Sequence, residues 1–289
     1  MARIAFVTLL LIGSLVAASP PPADWQVVEQ VLSRKGTGEK DMLKVTFPRS
    51  DLSVRVGDVS VEPGLALTSW LGFKGMGEQA MMMGDLVLLE KEVAPVMTRL
   101  VAQGIEITAL HNHLLNTSPV VMYLHFSGTG DSKRLAEAMR SALALTGTPL
   151  DTPKPATPLA TAIDWRAVET VLGRTGQKKG NLFQVSFPRK EMIEEHGMVV
   201  PPFLGMATGI NLQMVGRKAA TTGDFVLTGS EVNPVIKALV DNGIAVTAVH
   251  SHMLFESPRL FFLHFWGYDE PERLARGLKA ALDKTNTVK

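Results

Sequence analysis

Residues 84–128 read GDLVLLEKEVAPVMTRLVAQGIEITALHNHLLNTSPVVMYLHFSG, and they align without a gap on residues 223–267, GDFVLTGSEVNPVIKALVDNGIAVTAVHSHMLFESPRLFFLHFWG. Of these 45 aligned positions, 23 are identical. Further upstream, Phe47-Pro48-Arg49 recurs as Phe187-Pro188-Arg189 at nearly the same offset. Self-similarity at one fixed spacing is the signature of a duplicated unit. The chain therefore contains two copies of one domain.

A proline-rich segment separates the two copies. We place the first repeat domain at residues 24–147, a linker at 148–163 and the second repeat domain at 164–289. Four prolines fall within the linker, where they remove backbone donors and favour an extended conformation. Each repeat has roughly 125 residues, a length at which a domain can bury a core of its own.

Hydrophobic periodicity predicts the same elements in each copy. Val93, Val96 and Leu100 recur at helical spacing directly after the Gly-Asp segment, which indicates an amphipathic helix. Val45 and Phe47 alternate with other residues in a pattern typical of a strand. The full order is helix, about three strands, helix, two strands and helix. This order predicts an α+β fold with two homologous two-layer α/β sandwich domains in tandem.

Composition and charge exclude several classes of protein. The chain has 29 Lys+Arg and 28 Asp+Glu, a formal charge of +1, so it offers no broad basic surface for nucleic acid. It contains no cysteine, which excludes disulfides, thiolate metal sites and iron–sulfur clusters. Any bound metal must be held by histidine, carboxylate or methionine.

The first 18 residues have the pattern of an export signal. Arg3 precedes an almost uninterrupted apolar run at residues 4–12, and Val16-Ala17-Ala18 offers a small-residue cleavage site. The apolar run is too short for a transmembrane helix, and no later segment approaches the necessary length. We expect an exported protein, periplasmic or secreted, with no membrane span in the mature chain. No cysteine follows the signal, so we expect no lipid anchor of the bacterial lipoprotein type.

Six of the seven histidines fall at equivalent positions of the two copies. The pattern is His-x-His, eleven residues and a third histidine: His111, His113 and His125 in the first copy, and His250, His252 and His264 in the second. Because alternate residues of a strand share a face, residues 105, 107, 109, 111 and 113 are predicted to point one way. A hairpin centred near Ser118 would place His111 opposite His125, and the second copy would pair in the same way.

Three neutral imidazoles with an open fourth position suit Zn²⁺, and they also suit copper, nickel or iron. We therefore predict a divalent transition metal, with zinc as the first choice, at His250, His252 and His264. Glu256 would add an oxygen ligand or act as a general base. A second possible site consists of His111, His113 and His125. Thr117 stands there in place of the acidic residue, so the two sites are expected to differ.

A structural interpretation stands beside the metal site. Cross-strand histidines can be satisfied by backbone carbonyls, by each other or by water, and duplication copies a structural trio as faithfully as a functional one. Asp85 and Asp224 follow a glycine at a strand start, which fits a turn or cap, or a partner that orients a histidine. Met82 and Met83 fit core packing better than a copper site, because threonines replace them in the second copy.

Two segments of the second copy resemble the LppY/LpqO family of bacterial exported proteins and lipoproteins. They are GDFVL at 223–227 with EVNPV at 231–235, and HSHML at 250–254 with SPR at 257–259 and LHF at 263–265. The likeness extends over nearly all of the mature chain, in both copies. It implies a duplicated exported protein and names no reaction. The acidic residue before Ser-Pro is kept at Glu256 and lost at Thr117, which argues against two equal sites.

Two classes of function follow from these residues. In a metal-dependent hydrolase, Glu256 would move a proton and Arg259 would hold an anionic substrate or intermediate. In a non-catalytic envelope module, whether it binds ligands or is purely structural, the paired domains would form a groove for a small ligand or an envelope component. The histidines would then only shape the wall of that groove. A protein that stores or delivers the metal without turnover is a third possibility.

Overall fold

The structure is a computed structural model that describes residues 24–39, 41–151 and 163–288. The predicted signal peptide lies outside the described residues, and so does most of the predicted linker, at 152–162. The start of that linker, residues 149–151, lies against the first half. The carbonyl oxygens of Pro149 and Asp151 both accept hydrogen bonds from the Arg34 guanidinium, that of Pro149 at 2.7 Å.

The elements of the first half keep the predicted alternation of long helices and strands, but in the part of the chain that the structure describes six strands and a short helix stand where about three strands were predicted, and three strands stand where two were predicted. In the described residues they are α1 (Trp25–Leu32), β1 (Thr37–Glu39), β2 (Met42–Pro48), β3 (Val54–Val56), β4 (Val59–Val61), α2 (Pro63–Ala66), β5 (Thr68–Met76), β6 (Gln79–Leu89), α3 (Glu90–Ala102), β7 (Glu106–His111), β8 (Thr117–Ser118), β9 (Val121–Gly130) and α4 (Ser132–Leu143). Asp24 caps α1 by accepting a hydrogen bond from the Gln26 amide at 3.0 Å.

The second half repeats this series. Its described elements are α5 (Arg166–Leu172), β10 (Gln177–Lys179), β11 (Leu182–Pro188), β12 (Glu194–Glu195), β13 (Met198–Val199), a 3₁₀ turn (Pro202–Leu204), β14 (Ala207–Val215), β15 (Lys218–Thr228), α6 (Gly229–Asp241), β16 (Ala245–His250), β17 (Leu260–Asp269) and α7 (Pro271–Leu282). None of the described helices has the length and apolar character of a membrane span.

The two main sheets have the same topology. In the described part of the chain, the strand order is β1-β2-β5-β6-β9-β7 in the first half and β10-β11-β14-β15-β17-β16 in the second. Neighbouring strands are antiparallel throughout. Strand residues that alternate along β6, such as Met82, Leu86 and Leu88, pack against the helices on one face of the sheet. The prediction of two homologous two-layer α/β sandwiches is therefore confirmed.

The faces of the two sheets that point away from the helices, here called the inner faces, pack on the opposite half. Met81 and Met83 of β6 share an apolar cluster with Leu204 and Phe262 of the second half. Val59 and Tyr123 of the first half share another cluster with Leu182 and Ala220 of the second. Met83, like Met82 on the helix-covered face, is a core residue, as the sequence indicated.

Two arms cross between the halves, residues 52–67 from the first and residues 193–206 from the second. The Gln213 amide donates to the carbonyl oxygen of Ser60 at 2.8 Å. The Lys44 ammonium donates to the carbonyl oxygen of Phe203 at 3.1 Å. The two halves therefore form a shared interior between their sheets, in addition to the helix-covered core of each half.

The repeated Phe-Pro-Arg motif has a structural role. The fully buried Arg49 guanidinium donates to Glu92 at 2.8 Å, to Asp51 at 2.9 Å and to the Val87 carbonyl at 2.6 Å. Arg189 makes the same contacts in the second half, with Glu231, Glu191 and Val226. Because Glu92 and Glu231 also accept from the backbone at the start of the following helix, each arginine ties a strand end to a helix start.

Candidate metal centre

The strands that carry the histidines contain a bulge that the sequence did not reveal. In β7, Ile107 pairs with Phe126, and Ala109, two residues on, already pairs with His125. Ile107 therefore points with Phe126 toward the helices, whereas Ala109 points with His125 to the inner face. The prediction that Ile105 and Ile107 share a face with His111 is wrong, because the extra residue of the bulge reverses the side-chain alternation.

The predicted hairpin register is also wrong, by two residues. His111 pairs with Tyr123, and His250 pairs with Phe262, so neither is opposite the third histidine of its own half. The connection is wider than a tight turn, because part of it pairs with an arm. In the first half Thr117 and Ser118 pair with β3. A shift of two residues keeps side chains on the same face, so the histidines still point inward.

The six histidines converge on one place between the sheets, and we call this group the histidine centre. It consists of His111, His113, His125, His250, His252 and His264. The rings of His111 and His250 stack with centroids 3.6 Å apart, and the centroids of His113 and His264 are 3.7 Å apart. His111 Nε2 lies 3.2 Å from His264 Nε2. The sequence suggested one trio in each half, whereas the tertiary structure joins the two trios.

Backbone carbonyls orient two of the rings. Nδ1 of His125 lies 3.1 Å from the Gly84 carbonyl oxygen, and Nδ1 of His264 lies 2.7 Å from that of Gly223. Because a carbonyl oxygen only accepts, Nδ1 carries the proton in both rings, and the lone pair is on Nε2. Such a hydrogen bond on the far nitrogen is the usual support of a metal-ligating histidine.

Two aspartates complete the centre. Asp85 Oδ2 lies 3.3 Å from His113 Nε2 and 3.9 Å from His125 Nε2. Asp224 Oδ2 lies 3.2 Å from His252 Nε2. Both residues stand in the middle of long strands rather than at a strand start, so the turn or cap interpretation does not describe their position. The sequence singled them out as possible partners of the histidines, and the structure places them in that position.

Aromatic rings form the walls of the centre. Tyr123 stacks on His113 with centroids 3.5 Å apart, and its counterpart Phe262 stacks on His252 at 3.4 Å. The Tyr123 hydroxyl donates to the carbonyl oxygen of Ala66 at 3.0 Å. Tyr123 was not identified from the sequence. Its position two residues before His125, which matches that of Phe262 before His264, is the signal that identifies it.

Burial changes the ionisation of the whole group. It lowers the pKa of every histidine of the centre below its ordinary value, because the imidazolium loses its hydration, and the pKa of His264 falls to about 4. Burial also raises the pKa of Asp85 to about 8. The pKa of Asp224 is raised by burial and by the nearby Asp85. At neutral pH the imidazoles are neutral, which is the form that binds metal.

Many polar atoms of the centre are buried without a hydrogen-bond partner. They are His111 Nδ1, His113 Nε2, His125 Nε2, both ring nitrogens of His250, His252 Nε2, Asp85 Oδ1 and Asp224 Oδ1. An unpaired buried polar atom destabilises a fold by about 1–3 kcal/mol, so a concentration of them at one place marks a candidate binding site. Among the described residues, no lysine or arginine pairs with either carboxylate.

Ligand atoms of these residues approach one another closely enough to hold an ion. Four overlapping sets of three have all their ligand atoms within 4.8 Å of one another: His111 with His125 and His250, His111 with His113 and His264, His250 with His252 and His264, and Asp85 with His113 and His125. The trio predicted for the second copy is one of these sets. Two of the others combine histidines from both halves.

Glu256 and Arg259 lie in the loop before β17. Glu256 is buried, and its Oε1 accepts from the Leu260 amide at 2.9 Å. Its Oε2 accepts from the Arg259 guanidinium at 3.1 Å. Thr117 is the counterpart of Glu256, and its Oγ1 accepts from the Val121 amide at 3.4 Å. Val121 is the counterpart of Leu260. In the described structure Glu256 is not a member of any of the four ligand sets.

The fold and the centre define a class of duplicated α+β protein in which two homologous halves share a histidine-rich interior. Residues 26–145 and 166–284 each match the family described as "Domain of Unknown Function (DUF1259)". The chain belongs to this family, in two copies.

Other comparisons add little. No curated protein shows significant similarity to the chain. The bacterial microcompartment shell protein PduB, a trimer, is 14% identical, with a TM-score of 0.22 over 89% of this chain and 97% of that one. EtuB from Clostridium kluyveri is 8% identical, with a TM-score of 0.21 over 87% and 89%. Similarity at this level carries no argument about function.

Proposed function

We propose that the protein binds a divalent transition metal at the histidine centre, and that both halves supply the ligands. The observation that carries the proposal is the convergence of buried, unpartnered ring nitrogens from both halves. Hydrogen bonds to Gly84 and Gly223 support it, because they leave a lone pair on Nε2 of His125 and His264.

The arrangement favours a metal over a purely structural histidine cluster. In a structural cluster the rings would satisfy one another or bind backbone groups, yet six of the twelve ring nitrogens are buried and do neither. Two buried carboxylates lie beside them without a basic partner among the described residues. A divalent cation supplies the missing charge and uses the free lone pairs, so one partner accounts for both observations.

Zinc is the metal we propose first. Neutral imidazoles with a carboxylate are ordinary zinc ligands, although copper, nickel and iron also accept imidazole. The shared interior also contains methionine sulfur atoms, in Met42, Met81, Met83, Met206 and Met253, but all five residues belong to an apolar packing cluster. The donor set is therefore nitrogen and oxygen, which does not select the soft Cu⁺ ion.

Metal analysis tests the proposal. Purified protein is stripped with a chelator, equilibrated with ZnCl₂, freed of unbound metal and analysed for zinc. We expect bound zinc in the unchanged chain and loss of at least half of it in His250→Ala and His252→Ala. His196→Ala is the matched control, because His196 is half exposed and lies outside the centre. Zinc content that is negligible, or equal in all four proteins, would overturn the proposal.

We further propose hydrolysis as the reaction of such a centre, with Glu256 as proton carrier and Arg259 as the group that steadies an anion. A bound divalent ion would supply Lewis acidity and an activated water. Support comes from the burial of Glu256 and its ion pair with Arg259. Both oxygens of Glu256 accept hydrogen bonds. The variant Glu256→Gln tests the proposal, because it removes the carboxylate and keeps the size of the side chain. The variant should keep its zinc and lose turnover of a chromogenic ester.

One cleft favours the non-catalytic alternative, a module that binds a small ligand. It has a volume of about 320 Å³ and lies between the halves, lined by residues that include Glu106, Ser127, Glu195, His196 and Met198. Glu195 is 5% exposed, and its Oε2 has no hydrogen-bond partner. Binding of a small molecule in this cleft would survive chelation, which distinguishes it from a metal-dependent activity.

The cellular setting is also a proposal. The apolar run at residues 4–12 and the small residues at 16–18 support export to the periplasm or the medium, and the resemblance to the LppY/LpqO family agrees with it. Expression in a Gram-negative host followed by fractionation tests this. The mature chain, cut after Ala18, should be found outside the cytoplasm, and a full-length cytoplasmic product would contradict the proposal.

A further inference from the structure

We propose that the histidine centre holds two metal ions, and that each ion is bound by the His-x-His pair of one half together with the third histidine of the other half. The first set is His111, His113 and His264. The second set is His250, His252 and His125. This inference rests on the proposed function and specifies its stoichiometry and ligands.

The two sets have nearly the same shape. In the first, the ring centroids are 5.0 Å apart for His111 and His113, 5.2 Å for His111 and His264, and 3.7 Å for His113 and His264. The equivalent distances in the second set are 4.9, 5.7 and 3.7 Å. The duplicated chain thus builds the same triangle of rings twice, about an approximate two-fold axis between the halves.

The shortest side of each triangle crosses between the halves. His113 meets His264, and His125 meets His252, both at 3.7 Å. Within one half the corresponding rings are not in contact: in the described structure, no ring contact joins His113 to His125 or His252 to His264. The third histidine of each half therefore lies nearest to the second histidine of the opposite pair, and it also lies 5.0 Å (His125 to His111) or 4.8 Å (His264 to His250) from the first histidine of its own pair.

The nitrogen positions agree with this assignment for the first set, whereas His250 and His252 fall in a close set of three with His264 rather than with His125. Two nitrogens bound to one tetrahedral zinc at about 2.0–2.1 Å lie about 3.3–3.4 Å apart. His111 Nε2 and His264 Nε2, both in the first set, are 3.2 Å apart. All three members of that set have ligand atoms within 4.8 Å of one another. The distance between the Nε2 atoms of His111 and His264, one from each half, is thus close to that expected for two ligands of one zinc ion.

A single ion does not account for all six rings. Six nitrogens around one octahedral ion at about 2.1 Å would place even opposite nitrogens only about 4.2 Å apart, so all six would fall in one set. Among the described residues, the ligand atoms within 4.8 Å of one another form sets of three. The six rings are too spread for one shell and are sufficient for two.

Each set has a carboxylate beside it. Asp85 Oδ2 is 3.3 Å from His113 Nε2 in the first set, and Asp224 Oδ2 is 3.2 Å from His252 Nε2 in the second. Asp85 Oδ2 also lies 3.9 Å from His125 Nε2 of the second set, and Asp224 Oδ1 lies 3.9 Å from His264 Nδ1 of the first, so both carboxylates lie between the two sets. Asp85 or Asp224 is then available as the fourth ligand or as the hydrogen-bond partner of a ligand.

Paired substitutions distinguish the possible ligand sets. The full chain is stripped with a chelator, loaded with ZnCl₂ and analysed for zinc per chain. We expect two zinc ions in the unchanged protein. His113→Ala with His264→Ala removes two ligands of one proposed set and should leave one ion. His113→Ala with His125→Ala removes a ligand from each set and should leave none. His196→Ala is the control and should retain both ions.

The other outcomes are equally specific. If each half binds its own ion, the two double variants exchange their results, with one ion left after His113 and His125 are replaced. A single zinc ion in the unchanged chain overturns the two-ion inference and leaves the proposed function intact. No zinc in the unchanged chain overturns both. The equivalent doubles, His252→Ala with His125→Ala and His252→Ala with His264→Ala, repeat the test if the first pair fails to fold by circular dichroism.

Discussion

At the scale of single residues, the repeated Gly-Asp dipeptide serves the histidine centre in two ways. The carbonyl oxygens of Gly84 and Gly223 accept hydrogen bonds from the Nδ1–H groups of His125 and His264. The next residues, Asp85 and Asp224, place a carboxylate oxygen beside a ring nitrogen of His113 and His252. In a strand, a side chain points to one face of the sheet and the backbone carbonyl groups point along the sheet. The glycine therefore contacts one histidine through its carbonyl group, and the following aspartate contacts another through its side chain.

Replacement of Asp85 by Asn should weaken metal binding. The amide keeps the size of the side chain but cannot ionise to the carboxylate that a bound cation would favour next to His113, and loss of such a partner of a metal site typically changes affinity by about 10–100-fold. The zinc Kd is measured by competition with a chelating dye. Asp58→Asn, at an exposed turn, is the control and should leave the Kd unchanged. Equal affinities in the two variants would show that the carboxylate does not act on the ion.

At the scale of elements, the central strands β6 and β15 are packed so closely that only glycine fits at one position of each. A Cβ atom on Gly84 would lie 2.2 Å from the Trp70 carbonyl oxygen. One on Gly223 would lie 2.0 Å from the Gly209 carbonyl oxygen. Both contacts are with backbone atoms of the neighbouring strand, which cannot rotate away as a side chain can. The glycine that orients a histidine is therefore also required for strand pairing.

The Gly223→Ala variant should be destabilised by about 1–3 kcal/mol, the usual effect of forcing extra atoms into a packed interior. Gly209→Ala is the matched control in the adjacent strand, because a Cβ atom there meets nothing within 4 Å. Urea denaturation of the two variants and the parent chain gives the free energies of unfolding. A Gly223→Ala protein as stable as the Gly209→Ala protein would contradict the close approach of β14 and β15.

At the scale of the whole molecule, the halves are joined through an interior that contains both apolar clusters and the polar centre. Met81 and Phe262 share one cluster, and Tyr123 and Ala220 share the other. Histidines from both halves lie in the same shared interior. A bound ion with ligands from both halves would link the sheets directly, so metal content and the arrangement of the halves are coupled.

The stability of chelator-treated protein should decrease as the pH falls below about 6.5. The histidines of the centre have a pKa below the ordinary 6.5, with that of His264 at about 4. The unfolded chain therefore takes up protons that the folded chain excludes. Asp85, with its pKa raised to about 8, acts in the opposite sense, because the stability it contributes is lost as the pH rises from about 3.8 to 8. Six histidines outweigh two aspartates, so the net change is a loss toward acid.

Urea midpoints of the chelated protein between pH 7 and pH 4.5 measure this effect. We expect a steady fall of the midpoint over that range. A variant in which His111 and His250 are both replaced by glutamine provides the comparison, because fewer buried imidazoles should make the fall shallower. A midpoint that stays constant or rises toward acid would show that the rings are not held neutral in the folded state.

Much of the fold was predictable because it depends on local pattern. The duplication follows from identities such as Gly84-Asp85 with Gly223-Asp224, and the helix after each of these strands follows from apolar spacing. The bulge between Ile107 and Ala109 was not predictable, because an extra residue in a strand leaves no mark in a short alternating pattern. The hairpin register failed for a related reason. Thr117 and Ser118 pair with β3, a distant segment whose position the local sequence does not encode.

The sequence by itself determined the two-fold repeat, the α+β layers and the identity of the polar residues on the inner faces. Only the tertiary structure decided that His111 meets His264 and that His125 meets His252. The physical reason is that periodicity specifies which face of a strand a side chain occupies, whereas the partner of that face depends on long-range packing. Here the apolar inner faces of two sheets cover each other, and the histidines they carry are brought together between them.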